Sequence, residues 1–483
     1  MKKIASLFLV VLTVFFSFGF YGCGEKDTAT LYDISIKLSD KRIEGVMTID
    51  FYNDTDNALG ELKFNLHANA FRNGAKYSPI SSQYFSKAYP NGINYGEMLI
   101  NSVTSNGENL EYSVCGVDEN VLSVALFNEV FPEERVSVTV CYTITLANVV
   151  ARTGINEHTI NLANFYPILC AIDENGFYEC VYYSSGDPYY SECADYNVSI
   201  TLDKDYTVAS SGKFIKRENQ GTLAKITYEL KNARSFAFVV SDKFESITDN
   251  STGIEIIYYF YEDENPLLAM QAAVKSIKLF EEKFGEYPYP TYSVVQTEFV
   301  QGGMEFPALV MISDSLEKEA YAEVVVHETA HQWWQTAVGN NEIESGFLDE
   351  GLAEYSVITF YEYYPEYNLT REQIIESSEK TYKTFCSVYD KLFGEVDTSM
   401  TRGLYEFKGE YEYVNIAYIK PCIMFDNLRK TIGDESFFKG LKKYYEEYKF
   451  KNAKPDDLVG IFEKMGKDTN GFFNSFFEGK DII

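Results

Sequence analysis

The chain has 483 residues, of which 46% are hydrophobic and 24% charged, a globular composition that excludes fibrous and mainly disordered proteins. The length exceeds what one hydrophobic core usually supports, so we expect two or three domains. With 72 acidic and 42 basic residues the formal charge is −30, which repels phosphate backbones, and we therefore predict no nucleic-acid partner.

The N-terminus has the pattern of an export signal. A basic start precedes an apolar run over residues 4–21, which ends at Gly22 and Cys23. This order is typical of a secretory signal, and the cysteine makes the segment resemble a bacterial lipobox, in which the cysteine carries a lipid. We predict a signal peptide over residues 1–22, a lipid-anchored linker over residues 23–30, and an extracytoplasmic chain tethered to a membrane. An uncleaved transmembrane anchor is the alternative, because about 20 apolar residues can span a bilayer.

Seven of the eight cysteines remain if Cys23 is acylated. An odd number leaves at least one thiol free or paired between chains. Cys170, Cys180 and Cys193 are close enough in sequence to offer a disulfide, which export permits and which the sequence leaves open. The chain contains no Cys-x-x-Cys pair, which argues against a thiolate zinc site.

The first half of the chain alternates between apolar and polar residues. Val136, Val138 and Val140, for example, are separated by single polar residues, as in a half-buried strand. Clusters of Asn, Gly, Asp and Ser separate such runs. The pattern predicts an N-terminal antiparallel β domain over residues 31–245.

Helical periodicity replaces this alternation in the second half. The polar stretch 248–253 is a plausible boundary loop. Leu267 and Met270 begin a series of apolar residues at helical spacing, and Gly285 marks the end of that helix. A short strand region followed by helices predicts an α+β domain over residues 250–483.

Two of the four histidines lie in the segment His327-Glu328-Thr329-Ala330-His331, which matches H-E-x-x-H. Residues four apart lie on one face of a helix, so both imidazoles can bind one zinc ion. Glu328 points away from both and can take a proton from water at the open coordination position, because zinc lowers the pKa of that water to about 7.

A third ligand is available 19 residues after His331, at Glu350, on a second predicted helix. Two histidines, one glutamate and a water form the catalytic zinc arrangement of thermolysin and carboxypeptidase A. We therefore predict one Zn²⁺ per chain, bound by His327, His331 and Glu350. Glu354 lies one turn beyond Glu350 and is predicted to accept the free ring N–H of a ligand histidine. A solvated helix glutamate is the alternative interpretation of Glu354.

The zinc signature and its spacing to Glu350 resemble the gluzincin zinc peptidases. A second element, Gly302-Gly303-Met304-Glu305-Phe306, is similar to the Gly-x-Met-Glu-Asn element of the aminopeptidase N family. Segments 306–310 and 186–190 also resemble the corresponding segments of this family, and the similarity extends over about residues 30–480. The resemblance implies an N-terminal antiparallel β domain followed by a thermolysin-like α+β zinc peptidase domain.

The resemblance also implies substrate-binding roles for the second element. The segment would be an edge strand that pairs with an extended peptide, and Gly302 and Gly303 would allow close approach. Met304 would belong to the substrate site, and Glu305 would hold the free α-ammonium of the peptide. Phe306 stands where the family has Asn. The resemblance therefore leaves open whether the protein removes only single N-terminal residues.

The family also uses a downstream tyrosine, for which Tyr418-Ile419-Lys420-Pro421 is the nearest match. Tyr418 would donate a hydrogen bond to the oxyanion of the tetrahedral intermediate. Tyr411 and Tyr413 are the alternative candidates for this role. Larger family members carry a further C-terminal helical domain, for which we expect no room here.

These observations together predict a zinc aminopeptidase that acts on peptide substrates. Phe306 and the expected lack of a covering domain prompt a first alternative, a zinc endopeptidase of the same fold. The export signal and the β half prompt a second, a surface lipoprotein that binds peptides without turnover. The sequence leaves open the preferred first residue, the physiological substrate and the oligomeric state.

Overall fold

The computed structural model describes residues 28–465 and 469–479. The predicted signal peptide and Cys23 lie outside the described residues. Within the described residues, no helix combines the length and the apolar character needed to cross a membrane.

Alternating burial builds the strands of the N-terminal half. In the strand Arg42–Tyr52, for example, every second side chain is buried and those between are more exposed, because successive strand side chains point to opposite faces. In chain order the strands are β1 (Leu31–Ser39), β2 (Arg42–Tyr52), β3 (Leu59–Asn65), β4 (Glu97–Ser105), β5 (Glu108–Asn109), β6 (Tyr112–Cys115), β7 (Val121–Val130), β8 (Arg135–Thr145), β9 (Thr153–Ile155), β10 (Ile160–Leu162), β11 (Ile168–Leu169), β12 (Ile172–Asp173), β13 (Gly176–Phe177), β14 (Ala194–Asp203), β15 (Thr207–Ser210), β16 (Lys213–Gln220), β17 (Leu223–Ala233) and β18 (Phe238–Ser241).

One large sheet organises this half, with the order β16-β17-β14-β1-β2-β8-β4-β5. Its neighbours are antiparallel except β1 and β14, which run parallel. The sheet is therefore mixed, unlike the wholly antiparallel domain predicted, because β1 and β14 are distant in sequence and no hairpin sets their direction. Two four-stranded sheets, β15-β18-β10-β9 and β11-β3-β7-β6, add to this core.

The second half begins with a five-stranded sheet in the order β19-β20-β21-β23-β22. The stretch 248–253, predicted as the boundary loop, lies within the β19–β20 hairpin, so this sheet starts earlier than predicted. The domain ranges themselves stay predictions. The strands are β19 (Glu245–Asp249), β20 (Glu255–Phe260), β21 (Thr291–Thr297), β22 (Gly303–Phe306), β23 (Leu309–Ser313), β24 (Val338–Gly339) and β25 (Lys451–Asn452).

Most of the remaining chain is helical, as predicted. The helix over residues 266–284 begins with Pro266, which suits a first turn, and ends at Gly285 with φ 131°. The helices are α1 (Phe85–Ala88) in the first half, and α2 (Pro266–Phe284), α3 (Lys318–Ala330), α4 (Glu342–Ser345), α5 (Phe347–Tyr363), α6 (Arg371–Phe393), α7 (Glu410–Tyr413), α8 (Lys420–Ile432), α9 (Asp434–Tyr448), α10 (Pro455–Lys464) and α11 (Asn470–Phe477). Short 3₁₀ turns lie at His67–Phe71, Pro365–Tyr367 and Leu404–Glu406, and a π-helix at Val414–Ile419.

Candidate metal centre and cleft

Helices α3 and α5 pack against each other and carry the three predicted metal ligands. His327 lies in the last turn of α3, and His331 follows directly as the C-terminal cap of that helix. Glu350 lies in the first turn of α5. The packing of two helices therefore brings Glu350 to two histidines that are 19 and 23 positions before it in sequence.

The ligand atoms have the separation that a tetrahedral ion requires. His327 Nε2 and His331 Nε2 are 3.1 Å apart, and Glu350 Oε2 lies 3.3 Å from the first and 3.2 Å from the second. Ligand atoms at about 2.0–2.1 Å from a tetrahedral zinc ion are about 3.3 Å from one another. The three side chains thus fit a single zinc ion.

The hydrogen bonds of the two imidazoles point to the same conclusion. His331 Nδ1 lies 2.9 Å from the carbonyl oxygen of Trp334, and His327 Nδ1 lies 3.0 Å from Glu354 Oε2. Both partners are acceptors, so each Nδ1 donates, and in a neutral imidazole the Nε2 atom is then an acceptor. Three acceptors that face one point require a cation between them. Glu354 makes the contact that its predicted role needs.

The electrostatics of the centre favour positive charge. Burial opposes charging of His331, but the carboxylates of Glu305 and Glu350 outweigh it and raise the pKa of His331 to about 10. Burial also opposes charging of Glu350 and by itself would raise the pKa of this carboxyl, yet the two histidines hold the pKa of Glu350 below its usual range. The site therefore attracts a proton or a metal ion.

Glu328 lies beside the three ligands and is directed into the cleft. Its side chain is 5% exposed, and its Oε2 has no hydrogen-bond partner among the described residues. Burial, opposed by the two histidines, raises the pKa of Glu328 to about 7. A Cβ atom at Gly303 would overlap the Glu328 carboxylate, so a glycine at 303 makes room for this side chain. This contact differs from the predicted role of Gly303, which is to allow close approach of substrate.

Strand β22 is an edge strand, since it pairs only with β23 within the described sheet. Gly303 and Glu305 face the cleft, and Glu305 Oε1 has no partner in the described part of the chain. Met304 and Phe306 point to the opposite face and pack in a cluster of buried apolar residues. The structure therefore does not bring Met304 into the cleft, and Phe306, which replaces the family's Asn, belongs to the core.

Tyr418 reaches the metal centre from the π-helix at Val414–Ile419. Its hydroxyl donates to Glu350 Oε1, and its ring is stacked 6.0 Å from the ring of His327. Burial and the Glu350 carboxylate raise the pKa of Tyr418, so the hydroxyl remains a donor. Of the two alternative tyrosines, Tyr411 is 50% exposed, and the ring centroid of Tyr413 lies 5.8 Å from that of Tyr418 in an edge-to-face contact.

The metal centre opens into a cleft of about 290 Å³. Several lining residues come from segments that carry no catalytic or metal-binding motif. Arg152, from the N-terminal half, has its Nη1 2.6 Å from Asp187 Oδ1, and no local pattern marks it. Asp187 lies in the segment 186–190, whose similarity to the family was the only signal. The lining consists of Tyr84, Arg152, Asp187, Gln301, Gly302, Gly303, Glu305, Glu323, Val324, His327, Glu328, His331, Glu350, Glu354, Glu410, Val414 and Tyr418.

Comparison with known proteins agrees with this geometry. Residues 268–476 match the family described as the peptidase family M1 domain. Aminopeptidase M1-A of Oryza sativa subsp. japonica is 28% identical over 290 residues, 55% of this chain and 32% of that protein. Aminopeptidase N of Lactococcus lactis subsp. lactis is 26% identical over 256 residues, 48% of this chain and 28% of that protein. The chain thus spans about a third of the length of these relatives.

A solved structure is similar over nearly the whole chain. An M1 zinc metallopeptidase from Deinococcus radiodurans has a TM-score of 0.66 at 15% identity, covering 94% of this chain and 95% of that one. At this identity the likeness shows the fold. The predicted order, a β-rich domain followed by a largely helical domain, is confirmed as a fold.

Proposed function

We propose, from the match of residues 268–476 to the peptidase family M1 domain, that the chain is a zinc-dependent aminopeptidase that removes N-terminal residues from peptides. His327, His331 and Glu350 would hold the ion, and the converging acceptor atoms described above support this ligand set. A zinc ion bound there supplies Lewis acidity, which polarises a substrate carbonyl and makes water easier to deprotonate.

Glu328 is the general base of the proposed reaction. Its side chain lines the cleft and one of its carboxylate oxygens has no partner in the described part of the chain, so the carboxylate is free to accept a proton and to return it. It would take a proton from the attacking water and pass it to the leaving amine. Tyr418 would donate a hydrogen bond to the oxyanion that forms between these two steps.

The proposal depends above all on the distance between Glu305 and the reacting groups. Oxygen and nitrogen atoms of Glu305, Glu328 and His331 lie within 4.8 Å of one another. In a peptide, the α-nitrogen and the carbonyl carbon of one residue are two bonds apart, about 2.5 Å. An α-ammonium at Glu305 therefore leaves only the first peptide bond within reach of Glu328.

We expect this geometry to make a free N-terminus essential. A peptide with a free amine should lose one residue at a time, and its N-acetylated form should react at least about 100-fold more slowly, because Glu305 is then left buried and unpaired. Chromatography of the products from both peptides measures the difference. Equal rates with internal cuts would favour the endopeptidase, and tight binding of both peptides without cleavage would favour the non-catalytic binder.

The proposal also places the chain outside the cytoplasm, on a membrane. Its support is the N-terminal pattern of basic start, apolar run and Cys23. We expect mass spectrometry of the mature protein to find an acylated Cys23 as the first residue. An intact Met1 would favour an uncleaved anchor instead.

A further inference from the structure

We propose that the cleft selects peptides whose second residue carries a basic side chain, through the carboxylates of Glu323 and Glu410. This inference rests on the proposed aminopeptidase function and specifies its substrate class. It follows from the direction in which a bound peptide must leave the cleft and from the charges that it meets on that path.

The burial of β22 and its flanks determines the direction of the peptide. Residues 304–310 are buried, whereas residues 301–303 are half-buried and open to the cleft. A peptide whose amine is held at Glu305 and which pairs with the edge strand can therefore extend only past Gly303 and Gly302. Its second residue then lies near Gly302, on the side of the cleft away from Phe306.

Helix α3 forms the wall beside this position. A Cβ atom at Gly302 would lie 3.5 Å from Val324, an ordinary contact distance. Glu323 precedes Val324 on the helix and also lines the cleft. Its Oε2 accepts a hydrogen bond of 2.8 Å from the Tyr361 hydroxyl, which holds the carboxylate in place.

A second carboxylate lines the same cleft from another part of the chain. Glu410, at the start of α7, accepts a hydrogen bond of 3.0 Å from the Tyr84 hydroxyl at Oε1 and another from Gln83 at Oε2. Tyr84 and Gln83 belong to the N-terminal half, so this contact joins the two halves at the cleft. Both carboxylates are thus positioned before substrate arrives, which limits the entropy lost on binding.

The charge balance of the cleft favours a cation. Seven carboxylates line it, and among the described lining residues Arg152 is the only lysine or arginine. Arg152 is buried and ion-paired at 2.6 Å with Asp187, so its charge is largely compensated there. Two buried carboxylates of the same cleft, Glu305 and Glu328, each have an oxygen without a partner in the described chain. The carboxylates of the cleft would therefore attract a lysine or arginine side chain of the peptide and repel an aspartate or glutamate side chain.

The test uses amidated tetrapeptides Leu-X-Ala-Ala, in which X is Lys, Leu or Glu and no C-terminal carboxylate interferes. Release of free leucine gives kcat and KM for each peptide. We expect kcat/KM for Lys to exceed that for Leu by about fivefold, mainly through KM, with Glu lower still, as for partly exposed charges. Raising the salt concentration should reduce these ratios, because salt screens exposed charges.

Three variants assign the effect to the named residues. Glu323→Gln and Glu410→Gln should each reduce the Lys-to-Leu ratio, and Glu323→Lys should favour Glu at the second position. Glu319→Gln, an exposed residue one turn earlier on α3, is the matched control and should keep the ratio. Equal kcat/KM for all three peptides, or a preference that survives the double Gln variant, would overturn the inference. Failure to release leucine from any peptide would instead reject the aminopeptidase itself.

Discussion

Replacing Glu328 by Gln should reduce kcat on aminoacyl reporter substrates by roughly 10²- to 10⁴-fold, the usual contribution of a positioned general base. Glutamine has the same shape and fits beneath Gly303, where a larger side chain would not. Its amide cannot accept the proton of the attacking water at neutral pH. The loss should therefore appear in kcat, with the fold and KM nearly unchanged.

Metal content separates this effect from a loss of zinc. Glu328 is not one of the three residues whose atoms converge at 3.1–3.3 Å, so the variant should retain about one ion per chain. Glu319→Gln, on the same helix but exposed, is the control and should be fully active. Full hydrolysis by the Glu328→Gln variant would refute the proposed mechanism.

Replacing His331 by Ala should remove both the metal and the activity. His331 is 1% exposed, and its Nε2 lies within 3.2 Å of both other ligand atoms, so its loss leaves two ligands for one ion. Removing a side chain that only orients a ligand typically costs 10- to 100-fold in affinity, and the loss of a ligand should cost more. Metal analysis of purified protein, together with activity before and after chelation, measures the effect.

Two further variants show whether the loss of zinc is specific to the removal of a metal ligand. Glu354→Gln weakens only the contact to His327 Nδ1 and should lower zinc affinity by about 10- to 100-fold while the site can still be loaded. His158→Ala changes a histidine outside the cleft lining and should retain zinc. Circular dichroism checks that each variant is folded. A His331→Ala protein that keeps its zinc and its activity would exclude the ligand set.

The metal ligands could be predicted from sequence because much of their geometry is local. His327 and His331 are one helical turn apart, and helix geometry alone puts them on one face. Glu350 required a spacing that allows a second helix to return to the first, and the arrangement of two histidines, one glutamate and a water in catalytic zinc sites supplied the expectation. The alternation of strand residues and the end of α2 at Gly285 are likewise local patterns.

Other features depend on contacts between distant segments, which no local pattern shows. The parallel pairing of β1 with β14 joins residues more than 150 positions apart. Gly303 proved to make room for Glu328, and Met304 to point into the core. The positions of Gly303 and Met304 both depend on which face of β22 meets α3.

By itself, the amino-acid sequence determined the fold class, the zinc signature and the candidate base, because helix and strand periodicities are set by neighbouring residues. Only the tertiary structure decided which side chains form the cleft. Tyr84 and Arg152 reach it from the N-terminal half, and Glu410 from the start of α7. Their meeting depends on the packing of two halves of the chain, and burial and charge in the cleft exist only after that packing has formed.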